Sequence, residues 1–292
     1  MDSMDKSEIV SGLKGKVALI TGAGGMKGVG RAIALKFARH GVDLALSDVK
    51  LQSDDKHPNQ VRTGWQSIES VAEEVRALGV RCLPVYCDLS DSKQMQNLVK
   101  QTVEHFGHID ILVNNARAIM GKDKTPITEL SESVWQHFLT INLTAPFILT
   151  KAVAKEMIRQ GRGGRIINIG SDNAKRATPM SAAYSSSKHA LVGLTQAAAL
   201  DLAPYGITVN CPCPGNINTD RLSYWERAQA EAKGISFEEF RAAVVKEQGA
   251  GTPLGRVAEP EDVANLVIFL ASDEASFITG QAYNVNGGLL FH

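Results

Sequence analysis

The stretch from Lys16 to Gly41 constrains the fold more than any other part of the chain. Lys16-Val17-Ala18-Leu19-Ile20-Thr21 is a short apolar run with β-branched residues, which reads as a buried strand. Gly22, Gly24, Gly25, Gly28 and Gly30 then punctuate nine residues, and a helical pattern follows from Arg31 to His40, closed by Gly41 as a stop signal. Strand, glycine-rich turn and helix in this order form a cradle for a phosphate-bearing ligand. The glycines let the backbone turn tightly and come close, and the helix N-terminus, at Gly28, Val29 and Gly30, supplies free N–H groups and a positive dipole end.

The rest of the chain repeats the alternation. Strands are expected near 16–21, 42–48, 80–87, 109–115, 164–170, 206–211 and 281–285. Helices are expected near 28–41, 64–79, 91–107, 131–160, 181–203 and 260–271. Strands that alternate with helices build a doubly wound parallel sheet. No repeat or composition break divides the 292 residues, and 44% hydrophobic content supports one sizeable core. The expected organisation is a flexible tail over 1–12 and one α/β domain over 13–292, with a helical covering segment near 219–249.

Two further sites carry chemistry. Asp48 closes the second strand, where a carboxylate accepts hydrogen bonds from the adenosine ribose of a dinucleotide and repels a 2′-phosphate. Lys27 and Lys50 argue the other way, since either cation could pair with that phosphate; the carboxylate outweighs them, Lys27 reads as a solvated loop lysine, and NAD is favoured over NADP. Tyr184 and Lys188 are four apart in an apolar-periodic segment, so on a helix they share a face. An ammonium beside a phenol favours the phenolate, and a tyrosine so tuned exchanges a proton with an alcohol or carbonyl oxygen. Ser171, at a strand end, could hydrogen-bond the same oxygen.

With these residues in place, the chain resembles the short-chain dehydrogenase/reductase family from about Leu13 to Gly288. Asp88, with Leu89 after it, matches the segment that contacts adenine. Asn114-Asn115-Ala116 matches the segment beneath the adenine side of the cofactor. Asn142, Ser171, Tyr184 and Lys188 match the catalytic tetrad. Pro214-Gly215, with Ile217 and Thr219, matches the turn at the nicotinamide carboxamide. The resemblance implies a Rossmann-type, seven-stranded parallel sheet flanked by helices. It also implies a hydride transfer between NAD(P) and a secondary alcohol or ketone, and a homo-oligomer, most often a tetramer, paired through helices 131–160 and 181–203. In such enzymes the asparagine fixes a water that links the lysine to solvent. An epimerase or dehydratase that recycles bound NAD is the alternative on the same fold.

The chain departs from the family pattern at three places. Five residues separate Gly22 from Gly28, two more than usual, so Gly24 and Gly25 are candidates to take over phosphate contacts. Arg117 replaces the glycine after Asn-Asn-Ala. Together with Lys175 or Arg176 it is expected to bias the pocket toward an acidic or strongly polar oxygenated substrate. Asn286-Gly287-Gly288 replaces Asp-Gly-Gly, a change expected to be structural.

Zero formal net charge without a basic block argues against a nucleic-acid partner. No apolar run is long enough for a membrane span. The polar first eleven residues lack the apolar core of a signal peptide, so the cytoplasm is the expected compartment. Cys82, Cys87, Cys211 and Cys213 read as reduced structural cysteines rather than metal ligands. Two segments look inserted: polar 51–64, beyond Asp48, and charged 221–248, which in the family covers the substrate.

Overall fold

The computed structural model describes residues 10–50, 64–119, 121, 123–220 and 224–292. The first nine residues of the expected tail, the insertion at 51–63 and residues 221–223 of the covering segment lie outside the described residues. Seven parallel strands form one sheet: β1 (Val17–Thr21), β2 (Asp43–Asp48), β3 (Cys82–Tyr86), β4 (Ile111–Asn114), β5 (Gly164–Asn168), β6 (Ile207–Pro214) and β7 (Ala282–Val285). Their order across the sheet is β3-β2-β1-β4-β5-β6-β7. Parallel neighbours cannot be joined by a hairpin, so helices cross over and cover both faces. That is why β1 and β6 are buried along their whole length and mostly apolar.

One face carries α1 (Val29–Arg39), α2 (Ile68–Ala77) and a late helix (Pro260–Ala271) that packs on α1. Phe37, Ile33, Val71, Val75, Val263 and Val267 fill the core on that side. The other face carries α3 (Ser92–Phe106), a composite helix over 132–160 and a long helix, Ala182–Leu202, with Leu98, Leu149, Val153 and Met157 inside. The chain winds outward from β1 to β3 and then returns to place β4 on the other side of β1. This reversal opens a crevice beyond the C-terminal ends of β1 and β4, the place where doubly wound sheets bind ligands.

Three elements differ from expectation, the first being the helix expected over 64–79, which is Ile68–Ala77 and leaves Trp65 to Ser67 outside it. The helix expected over 131–160 is three pieces: α4 (Glu132–Leu139), a π turn (Thr140–Thr144) and α5 (Ala145–Gln160). Pro146 is the cause. It has no N–H for the carbonyl four residues back, that of Asn142, and its ring clashes with that carbonyl in a regular helix. The ladder widens locally, and Ala145 N–H reaches Thr140 O, five residues back. Strand β6 continues to Pro214, three residues past the expected end, because its last four residues pair with β7. Helix α6 is Ala182–Leu202. The covering segment contains α7 (Tyr224–Ala232) and α8 (Phe237–Ala250), and α9 is Pro260–Ala271.

Candidate active site

A single cleft beyond the C-terminal strand ends is lined by Gly22, Gly24, Gly25, Gly28 and Val29 from the glycine turn, by Asp48 at the end of β2 and by Ser171, Tyr184 and Lys188. Asn115, Ala116, Pro214, Gly215, Ile217 and Thr219 line it too. The glycines work by absence. At Gly22, with φ +67°, a Cβ would lie 2.6 Å from Ala116 Cα. At Gly30 it would lie 2.5 Å from Gly22 O and 2.7 Å from Asn115 Nδ2. Gly30 therefore brings α1 against β1 and β4 and does not face the cleft. Asn115 closes the same joint, donating to Thr21 O at 2.9 Å and Gly22 O at 2.8 Å. Helix α1 begins at Gly28 with no side-chain cap and no acidic residue in its first turn. Bare backbone, an uncapped helix end and its dipole together fit the pyrophosphate of a dinucleotide.

At the other end of the turn, Asp48 Oδ2 accepts from Gly24 N–H at 2.7 Å and Oδ1 accepts from Val49 N–H at 2.8 Å. Burial pushes the Asp48 carboxyl up, and these two N–H donors work against that shift. Two hydrogen bonds leave an ionised carboxylate with lone pairs for a ribose diol. Lys27 is the exposed loop lysine expected, and its ammonium also makes a surface pair with Glu259 at 3.2 Å, at the start of α9. Lys50 does line the cleft. Asp88 and Leu89 lie off the cleft walls. The Asp88 carboxylate accepts from Ser90 N–H at 2.8 Å and Ser90 Oγ at 2.7 Å, and Leu89 packs into the core.

Tyr184 and Lys188 sit one turn apart on α6, both buried. The Tyr184 ring meets Phe138 edge to face, with centroids 6.4 Å apart. The Lys188 ammonium donates to Ile169 O at 2.7 Å, which ties α6 to the segment carrying Ser171. Burial, with Arg117 also contributing, pulls the Lys188 pKa down to about 8. Ser171 Oγ donates to Asp172 at 3.1 Å and accepts from Asn173 N–H at 3.2 Å. Asn142 does not reach the cleft with its side chain. Its Oδ1 accepts from Ala118 N–H at 2.8 Å and its Nδ2 donates to Ser187 Oγ at 3.0 Å. That amide therefore braces α6 and the segment after β4 from the π turn, and Pro146 deprives the Asn142 carbonyl of its usual helical donor.

Of the three cations expected near the substrate, one faces it. Arg117 lines the cleft. Lys175 donates to Ala282 O at 2.6 Å, against the sheet edge, and Arg176 is exposed off the cleft walls. Asn286 is structural, as expected, donating to Leu290 O and accepting from Gly288 N–H. Sequence reasoning missed the wall formed by Trp65, Gln66, Ser67 and Tyr86. Trp65 to Ser67 follow a polar insertion and carry no motif, so only the folded chain reveals them.

Comparison with known proteins agrees with this geometry. Residues 22–290 match the family described as Enoyl-(Acyl carrier protein) reductase. The chain is 36% identical to galactitol 2-dehydrogenase of Agrobacterium fabrum, over 94% of this chain and 98% of that protein. It is 34% identical to cyclohexanol dehydrogenase of a Rhodococcus strain, over 96% of this chain and 97% of the relative. Its fold superposes on NAD+-bound xylitol dehydrogenase with a TM-score of 0.79 at 34% identity, covering 95% of this chain and 100% of the other. Motifs, sheet order and full-length similarity coincide: the chain belongs to the short-chain dehydrogenase/reductase family.

Proposed function

We propose that this protein is an NAD-dependent dehydrogenase that interconverts a neutral secondary alcohol and its ketone. One observation carries the reading: a single cleft joins an uncapped helix end and a ribose-accepting carboxylate to a buried Tyr/Lys pair beside a serine. When bound, the nicotinamide supplies the hydride acceptor or donor. Tyr184 exchanges the proton at its phenol oxygen with the substrate oxygen. The Lys188 charge, held at Ile169 O, favours the phenolate. Ser171 Oγ hydrogen-bonds the same substrate oxygen and stabilises its developing charge. Asn142 braces the turn of α6 that carries Lys188.

NAD is the preferred dinucleotide because Asp48 faces the ribose position and the Lys27 ammonium is engaged by Glu259. The substrate is read as neutral because Lys175 and Arg176 lie off the cleft, while Arg117, which lines it, donates to the Ala118 carbonyl at 3.0 Å. Relatives named for galactitol, sorbitol and cyclohexanol make polyols and cyclic alcohols the first compounds to assay. The reading includes a homotetramer and a cytoplasmic location. In support of the location, the four cysteines are free thiols and buried, as a reducing compartment keeps them. The test is NADH absorbance with these alcohols and either dinucleotide. Stoichiometric NADH formation is expected; product formed with no net change in free NADH would instead mark an isomerising enzyme that recycles its cofactor.

A further inference from the structure

The two extra residues of the glycine turn raise a physical problem. A longer glycine loop has more conformations to lose on binding a dinucleotide. The folded chain restrains it at Gly24 from three directions. Asp48 Oδ2 accepts the Gly24 N–H at 2.7 Å. The indole Nε1 of Trp65 donates to the Gly24 carbonyl at 2.7 Å. The Ser67 hydroxyl covers the Gly24 α-carbon so closely that a Cβ there would overlap it, and that Cβ would also lie 2.9 Å from Asp48 Oδ2.

Ser67 is itself held in an unusual state. Its φ of 56° and ψ of −128° lie outside the regions a serine ordinarily occupies, and although it stands at the N-cap of α2 its side chain makes no capping bond. Backbone strain of this kind persists only where the surroundings over-determine it, and it gathers at ligand clamps. Trp65 is fixed in turn. The Arg31 guanidinium lies 5.6 Å from the centre of the Trp65 ring, and Arg31 is held by a two-pronged pair with Glu74. All of Gly24, Asp48, Trp65 and Ser67 line the cleft.

We propose that Trp65 and Ser67 are positioning residues for the dinucleotide, locking the backbone on both sides of the Gly24 α-carbon so that the Gly24 N–H fixes Asp48 for NAD and against NADP. The inference rests on the NAD reading above and deepens it. With Gly24 N–H on one oxygen and Val49 N–H on the other, the Asp48 carboxylate cannot swing aside to admit a 2′-phosphate. Trp65 enforces this by holding the next peptide unit through the Gly24 carbonyl, so the planes on both sides of the Gly24 α-carbon are restrained. A loop free to turn would let the carboxylate follow it, and discrimination would fall.

The test measures NAD and NADP dissociation constants by calorimetry on the purified full chain, together with the melting temperature of the ligand-free protein. Trp65→Phe keeps an aromatic ring and removes the N–H donor together with the pyrrole half of the indole, so the melting temperature is read beside affinity. One neutral hydrogen bond lost from the clamp should weaken NAD binding about two- to ten-fold. NADP binding should stay level or improve, so the preference narrows. The same substitution in an Asp48→Ala background should bring no further change in NAD affinity, because the clamp acts through that carboxylate. Ser67→Gly is the second variant. Glycine accepts the strained backbone, so the fold should hold while the cover over Gly24 is lost and NAD binding weakens. Wild-type NAD affinity in both Trp65→Phe and Ser67→Gly would overturn the proposal, as would an equal Trp65→Phe loss with and without Asp48. Failure of the NAD reading itself would show differently, as an Asp48→Ala protein whose NAD-to-NADP preference matches wild type.

Discussion

Lys188 bears a heavy electrostatic burden. It is buried, and its pKa falls from 10.5 to about 8. Between those two values the unfolded chain binds the proton and the native chain increasingly does not. Native stability attributable to this group therefore rises with pH from about 8 to about 10.5, and the burial penalty is fully present below about 8. Urea titrations of wild type and Lys188→Met should show the wild-type midpoint gaining on the variant across that window; parallel pH profiles would refute it. Tyr184 bears the chemistry. Tyr184→Phe keeps the ring against Phe138 but removes the transferable proton. Turnover should fall by about 10²–10⁴-fold, the usual weight of a general acid or base, with NAD affinity within a few-fold. Turnover within about ten-fold of wild type would exclude Tyr184 from that role.

At the scale of elements, two close approaches set the site. Pro146 opens the π turn that brings the Asn142 amide to Ala118 and Ser187. Gly30 lets α1 sit against the ends of β1 and β4. A Cβ there would strike Gly22 O, Asn115 Nδ2 and Ala23 Cα at 2.5, 2.7 and 2.8 Å, and two of these are backbone atoms. Gly30→Ala should destabilise the protein by about 1–3 kcal/mol, the ordinary penalty of overpacking, and should weaken dinucleotide binding as the helix end shifts. The check is a melting curve with and without NAD. A Gly30→Ala protein as stable as wild type would mean that α1 can move away freely. The strand ends and the helix start were legible beforehand from apolar runs and glycines. The π turn was not, because an apolar stripe continues through 131–160 and the effect of Pro146 depends on what Asn142 meets.

At the scale of the whole molecule, the outer faces of α5 and α6 leave Phe147, Ile158 and Leu200 exposed, at 48%, 37% and 78% of their full accessibility. Small residues accompany them on α6: Ser186, Gly193 and Ala197 lie on the exposed side, and a Cβ at Gly193 meets nothing within 4 Å. A face of this kind lets helices from two copies approach closely, and symmetric closure is the common outcome. Light scattering at micromolar concentration should report a tetramer, and Leu200→Glu should lower the mass. A monomeric wild-type mass would contradict the assembly.

The sequence by itself determined the family, the sheet and the candidate chemistry, because each rests on local pattern: apolar runs for strands, glycines for the turn, the four-residue step from Tyr184 to Lys188, the carboxylate after β2. Tertiary structure decided what those residues meet. Lys27 pairs with Glu259, some 230 residues away in sequence, and Lys175 with the Ala282 carbonyl. No local pattern encodes such partners, so of the expected cationic grip of Arg117 with Lys175 or Arg176 only Arg117 lines the cleft. Trp65 is the converse case. A lone tryptophan after a polar insertion signals nothing until α2 packs on α1 and brings its indole to the Gly24 carbonyl. Spacing along a chain fixes neighbours within a turn or a strand, whereas contacts between elements depend on how the whole sheet winds.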